Sequence, residues 1–114
     1  MHEISLCEAI AAAAERHSGG RPVVRIELSI GQLRQVVPDT LRSCWGIVTG
    51  GTDLDGCELA VDEIPLAVEC RSCGRRSELD APVLMCPNCA GRDVELVSGD
   101  EFLITSMTIV KEDV

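Results

Sequence analysis

The 114-residue sequence predicts an α+β protein: a small β-sheet with two helices on one face, plus an inserted four-cysteine zinc-ribbon module. Three observations predict it. Cys70, Cys73, Cys86 and Cys89 form two C-x-x-C pairs, C-R-S-C and C-P-N-C, separated by twelve residues. Two stretches, 5–17 and 38–49, repeat apolar residues at three- and four-residue spacing, the period of a helix buried along one face. Two others, 23–30 and 57–68, alternate apolar and polar residues, the period of a half-buried strand.

The first helix is expected over 5–17. Ser5 and Glu8 form an S-x-x-E capping box, and Leu6, Ile10, Ala13, Ala14 and His17 share one face. Gly19 and Gly20 end it, which leaves His17 at a helix C-terminus that favours its charged form. In the strand at 23–30, Val24, Ile26, Leu28 and Ile30 point one way and Arg25, Glu27 and Ser29 the other. Pro38 and Asp39 open the second helix, with Leu41, Cys44, Trp45 and Val48 as its apolar stripe and Gly50-Gly51 as its stop. The next strand starts at Cys57 and is expected to run past Pro65 to Cys70. A short strand near 94–97 and a turn at Ser98-Gly99-Asp100 follow. Residues 102–110 are rich in apolar and β-branched residues on both faces, which predicts a well-covered strand free to pair with 57–68.

The C-x-x-C spacing brings four thiolates within reach of one tetrahedral ion. Four soft ligands with no open position suit structural Zn²⁺, with an iron centre or a redox dithiol pair as the alternatives. Such a closed site performs no chemistry. The other cysteines, Cys7, Cys44 and Cys57, read as small buried hydrophobes in a reducing compartment.

Aromatic residues make up only 2% of the chain, so the core must be aliphatic, and a small aliphatic core gains from a metal staple. The formal net charge is −9, and four thiolates on Zn²⁺ lower it to about −11. That charge disfavours nucleic acid, whose affinity comes from Lys and Arg against phosphate. Arg71, Arg75 and Arg76 form a small basic cluster on the zinc module, a solvated face or a partner contact. No apolar run approaches membrane-spanning length, and residues 1–14 lack the basic start of a secretory leader, so a cytoplasmic protein without membrane insertion is expected.

The N-terminal Met1-His2-Glu3 is a chelating set. The α-amine and the His2 amide close a five-membered ring around a metal, and the amide and His2 Nδ1 close a six-membered one. Nitrogen sets of this kind favour square-planar Ni²⁺ or Cu²⁺. Glu3 adds an oxygen ligand or a hydrogen bond to one, and Asp39 is a further candidate.

Together these motifs resemble the HypA/HybF family of nickel metallochaperones in [NiFe]-hydrogenase maturation. The resemblance rests on Met1-His2-Glu3 with Ser5-Leu6, on Gly31-Gln32-Leu33 through Val37-Pro38 to Leu41, and on the two C-x-x-C pairs. It implies that His2 is a nickel ligand and Glu3 its neighbour in the motif. Cys70, Cys73, Cys86 and Cys89 match the zinc ligands. Two departures stand out: Val37 occupies a position where many relatives carry an acid, and the zinc module has no histidine.

The function implied is non-enzymatic. The chain would bind Ni(II) at its N-terminus as transient cargo and help insert it into the large subunit of [NiFe]-hydrogenase, with Zn(II) structural. The GTPase HypB and that large subunit are the implied partners, and a homodimer is open. A nickel-binding α/β domain would span 1–67, completed by the C-terminal strand 100–114, and a zinc-binding domain 68–99. The rivals are a zinc ribbon that binds nucleic acid and a zinc-stapled adaptor with no nickel role. A hydrolytic zinc enzyme fails, because four cysteines leave no position for water.

Overall fold

Helix α1 runs from His2 to Ser18, strand β1 from Val23 to Gly31 and helix α2 from Pro38 to Thr49. Strands β2 (Glu58–Ile64), β3 (Ala67–Cys70), β4 (Arg76–Glu78), β5 (Val94–Ser98) and β6 (Phe102–Ile109) follow. This computed structural model describes residues 2–110, and for His2 the backbone alone. The strands form two three-stranded sheets, ordered β2-β1-β6 and β4-β3-β5. The chain divides into two units, one of residues 1–28, 36–62 and 103–114, the other of 29–35 and 63–102.

The first unit is built on burial. On α1 the buried face is Cys7, Ile10, Ala14 and Ser18, while His17 is exposed, so the predicted stripe is rotated by about one residue. The helix also starts three residues earlier than expected, which leaves Ser5 inside it rather than at its cap. Cys7 Sγ donates to the Leu41 carbonyl of α2 across 3.5 Å. Leu41 and Trp45 are the buried anchors of α2, and Trp45 Nε1 donates to the Cys57 carbonyl at 2.9 Å. That bond satisfies the one polar atom of a side chain 3% exposed. Ile26 and Leu28 of β1 and Leu59 of β2 face this core. The opposite face of the sheet is solvated: Arg25 pairs with Glu27 and Glu58, and Glu27 Oε2 accepts from Ser106. One buried and one wet face put both helices on the same side, as expected. The inward row of β1 begins at Val23 rather than Val24, which is exposed.

Three strand expectations fail. The stretch 57–68 is not one strand but ends at Ile64 and restarts at Ala67 in the other sheet, because Pro65 lacks the N–H that a continuing ladder needs. Strand β2 does not pair with β6; the two flank β1. Nor is β6 covered on both faces, since Leu103, Thr105, Ser106 and Thr108 are exposed. Apolar residues fall on both faces of β6, so no clean alternation marks the wet side.

The second unit centres on β3, which pairs antiparallel with β4 and β5, placing Glu69 opposite Arg76 on one side and Glu95 on the other. Its supporting loop explains the Gly31-Gln32-Leu33 motif. A Cβ at Gly31 would stand 2.0 Å from the Gly99 carbonyl carbon, so only glycine admits this approach. Gly99 has φ +116, and a Cβ there would stand 2.7 Å from Leu66 Cα. Gln32 Oε1 accepts from the Leu66 N–H at 3.2 Å, and the Leu33 N–H donates to the Gly99 carbonyl at 2.8 Å.

Candidate metal centre

Two turns of like construction carry the four cysteines. In the first, the Gly74 N–H donates to the Cys70 carbonyl at 2.8 Å and the Cys70 N–H to the Arg75 carbonyl at 2.9 Å. In the second, the Ala90 N–H donates to the Cys86 carbonyl at 2.8 Å and the Cys86 N–H to the Gly91 carbonyl at 2.8 Å. Each turn needs a left-handed residue after its second cysteine, supplied by Gly74 (φ +76) and by Ala90 (φ 61). Glycine accepts that conformation freely; alanine accepts it at a cost of roughly 1 kcal/mol.

The turns bring the four Sγ atoms within 4.8 Å of one another. Cys70 and Cys89 stand 3.6 Å apart, as do Cys73 and Cys86. Sulfurs on a tetrahedron with bonds of about 2.3 Å are separated by about 3.8 Å, so the set fits a thiophilic tetrahedral ion such as Zn²⁺. Cys70 and Cys86 are buried, Cys73 and Cys89 exposed.

Donors surround the sulfurs. The Cys73 N–H reaches Cys70 Sγ at 3.4 Å, and Asn88 Nδ2 reaches Cys73 Sγ at 3.7 Å. The Arg75 backbone N–H, then Asn88, pull the Cys73 thiol down to about 6. The Gly91 N–H pulls Cys89 the same way, but hydrogen bonding with Cys70, Cys86 and Cys73, with slight desolvation, outweighs it and leaves that thiol at about 11. The turn dipoles thus favour the Cys73 thiolate, the crowding of four thiols opposes a second, and a divalent cation held among them would offset the charge of all four. Asn88 was not legible as a sulfur donor; its place between the second pair's cysteines was the one available signal. Gly91 was missed too: a Cβ there would press on Cys89 Sγ at 3.2 Å.

Arg71 pairs with Asp93 at 2.8 Å and lies 3.9 Å from Glu95, and Arg75 reaches Asn88 at 3.4 Å. The basic cluster is therefore largely spent inside the module. Two of the N-terminal candidates, the Met1 amine and the His2 side chain, lie outside the described residues. Glu3 sits half-buried in the first turn of α1. Asp39 opens α2, where its carboxylate accepts from Arg42 at 3.0 Å with the side chain 97% exposed. The structure brings the four cysteines together, while Asp39 keeps its own ion pair on α2. No described helix is long and apolar enough to cross a membrane.

Comparison with known proteins agrees in fold and in sequence. Two solution structures cover 98% of this chain at 20% identity: "Ni metallochaperone HypA from Helicobacter pylori" at a TM-score of 0.67, covering all of that chain, and "HypA protein" at 0.68, covering 98%. The hydrogenase maturation factor HypA of Chlorobium limicola is 38% identical over 116 residues, spanning 99% of this chain and all of that one. That of Nostoc punctiforme is 38% identical over 109 residues, 96% of each. Residues 1–109 match the family described as "Hydrogenase/urease nickel incorporation, metallochaperone, hypA". The chain belongs to the HypA family of metallochaperones, whose members are hydrogenase maturation factors rather than enzymes.

Proposed function

We propose that this chain carries Ni²⁺ to the large subunit of a [NiFe]-hydrogenase, holding it at the N-terminus while the four cysteines hold a structural Zn²⁺. The observation that carries the reading is family membership over residues 1–109. The nickel ligands are the Met1 amine, the His2 amide and imidazole, and Glu3 as a fourth ligand or a hydrogen-bond partner. The backbone of α1 supports this set. The helix begins at His2, so the His2 N–H lies in the first turn, where backbone N–H groups have no intrahelical acceptor, and it is available to give up its proton. A helix N-terminus repels a cation, and the Glu3 carboxylate in the first turn offsets that charge.

The division of labour follows: residues 1–67 with 100–114 serve nickel, and 68–99 serve zinc. Nickel held by nitrogen and a deprotonated amide is released as pH falls, whereas zinc in a closed thiolate cage is released only under stronger acid or by a chelator. HypB is the expected GTPase partner and the cytoplasm the expected location.

Calorimetric nickel titration of zinc-loaded protein with a native N-terminus tests the reading, after intact mass confirms that Met1 is first. Specific binding is expected, to be lost in His2→Ala. Residues added before Met1 should weaken it nearly as much while zinc content stays at one per chain. If the untagged protein takes no nickel, the zinc-stapled adaptor replaces the carrier. If the extended protein binds as tightly as the native one, the amine is not a ligand.

A further inference from the structure

Three cysteines lie outside the ribbon, and two of them stand at the contact between the helices. Cys7 on α1 is fully buried, and its Sγ donates to the Leu41 carbonyl of α2 at 3.5 Å. Side chains three apart on a helix share a face, and each leans back over the turn before its own Cα. Cys44 follows Leu41 by one turn, so its side chain leans over the backbone that Cys7 touches. Cys44 is half-buried, whereas Cys7 is closed to solvent. Electrostatics reports the same proximity. Burial is first among the causes that raise the Cys7 thiol, and the charge of Cys44 is second, ahead of Glu3 on the same helix as Cys7. A charge acts this way only at short range. Cys57 differs: burial and Glu58 raise its thiol, no other cysteine does, and its Sγ donates to the Glu58 carbonyl at 3.8 Å.

A half-buried thiol with a second thiol behind it can accept an oxidant and then be resolved. Peroxide reaches Cys44 first, because Cys7 is shielded. The Cys44 sulfur attacks one peroxide oxygen, the O–O bond breaks and water leaves. Two electrons have then passed from sulfur to peroxide, and Cys44 is a sulfenic acid. The Cys7 sulfur next attacks the Cys44 sulfur. The S–O bond breaks, the departing hydroxide takes the Cys7 proton to become water, and an S–S bond remains. A dithiol reductant returns both thiols. Helices pack with axes about 8–10 Å apart and carry their Cα atoms on cylinders of about 2.3 Å radius. Facing Cα atoms therefore fall in the range of about 4.4–6.8 Å that a disulfide spans.

We propose that Cys7 and Cys44 are an oxidative modification site, forming a reversible disulfide with peroxide as oxidant that fastens α1 to α2. In a reducing compartment such a bond is transient and reports oxidant rather than holding the fold. The two cysteines lie within two turns of the start of their helices, and Glu3 is one turn before Cys7. The bond therefore fastens the end of α1 from which the proposed nickel set is built, although the dithiol itself needs no nickel. Closing the loop between the helices restricts the unfolded chain, so the oxidised first unit resists urea better than the reduced one.

The test treats zinc-loaded, nickel-free full chain with a few equivalents of hydrogen peroxide, alkylates the remaining thiols and maps the unreduced peptides by fragmentation mass spectrometry. A cross-link between Cys7 and Cys44 is expected, with the chain lighter by two hydrogens and restored by dithiothreitol. Cys7→Ala removes the resolving thiol, so Cys44 should persist as a sulfenic acid that dimedone labels more strongly than in wild type. In Cys44→Ser, Cys7 should remain a free thiol at the same dose. The wild-type arm needs no substitution, so a variant that folds poorly cannot hide the answer. Wild type in which both residues are still alkylated after peroxide overturns the proposal. So does a cross-link from Cys44 to any cysteine other than Cys7, or a Cys7→Ala chain whose Cys44 gains no dimedone.

Discussion

The two units of this protein hold themselves together by different means. In the first, residues from both helices and from β1 and β2 close on one another: Ile10, Ala14, Ile26, Leu28, Leu41, Trp45 and Leu59 are each at most 4% exposed. In the second, burial is confined to Ile30 and to Leu66, Ala67, Val68 and Cys70 near β3; between Arg71 and Phe102 the one buried hydrophobic side chain is Cys86. A segment of that length with so little apolar burial cannot offset its own chain entropy. The first unit rests on a pattern of hydrophobicity, the second on a four-cysteine set shaped for a cation, in a chain with only 2% aromatic residues.

The sharpest break of that comparison is to take the metal away. Chelation, or Cys73→Ala, should unfold residues 70–91 and leave α1 and α2 protected from hydrogen exchange. The loss is of the order of 10 kcal/mol of site binding energy. Amides of α1 and α2 that exchange at the same rate as those of the ribbon would show that the division is not energetic.

The complementary break is in the aliphatic core. Leu41 is fully buried, and Leu41→Ala should cost about 2–5 kcal/mol of the first unit's stability in urea unfolding. Zinc content should stay at one per chain. Zinc lost in step with the helical signal would instead make the chain one cooperative unit.

The elements that were legible in advance follow the same division. The four thiolates were readable because a metal site is a local spacing, and two short turns deliver it whatever the rest of the chain does. The helices were readable by period, but the face of α1 was not fixed: a run of alanines at 11–14 leaves the stripe weakly defined, and tertiary packing chose Cys7 and Ser18 over Leu6 and His17. Strand partners were unreadable for a different reason. Which strand lies between two others is a property of the whole sheet, and no residue in β2 or β6 encodes that β1 separates them. Asn88 and Gly91 escaped notice because their roles exist only once the second turn is folded.

A smaller effect sharpens the comparison through pH. Burial, with Cys44 and Glu3 nearby, pushes the Cys7 thiol from 9.0 to about 11. The folded chain then keeps a proton that the unfolded chain has released between those values. Stability should fall as pH rises from about 9 towards 11, by at most about 3 kcal/mol. Cys7→Ala should flatten that slope when the two proteins are compared by urea unfolding.

The smallest change falls on the ribbon. Ala90 holds a left-handed conformation that Gly74 holds at the matching place in the first turn. Ala90→Gly relieves it and should raise the ribbon's stability by about 0.5–1 kcal/mol, seen as slower zinc loss to a chelator. Faster loss would mean that the flexibility glycine adds to the unfolded loop outweighs the strain removed.

The likeness of the two cysteine turns also sets an order of events. Each turn closes through contacts no more than five residues apart, a step faster than most other folding events, whereas joining the turns must close the intervening loop. Capture can therefore begin on either dithiol, and the second dithiol then arrives at the high effective concentration of a short tether. Release runs the same path backwards. An ion held this way would leave only after one turn has let go while the other still holds it, so a competing thiol ligand could take it by stepwise exchange without the protein unfolding.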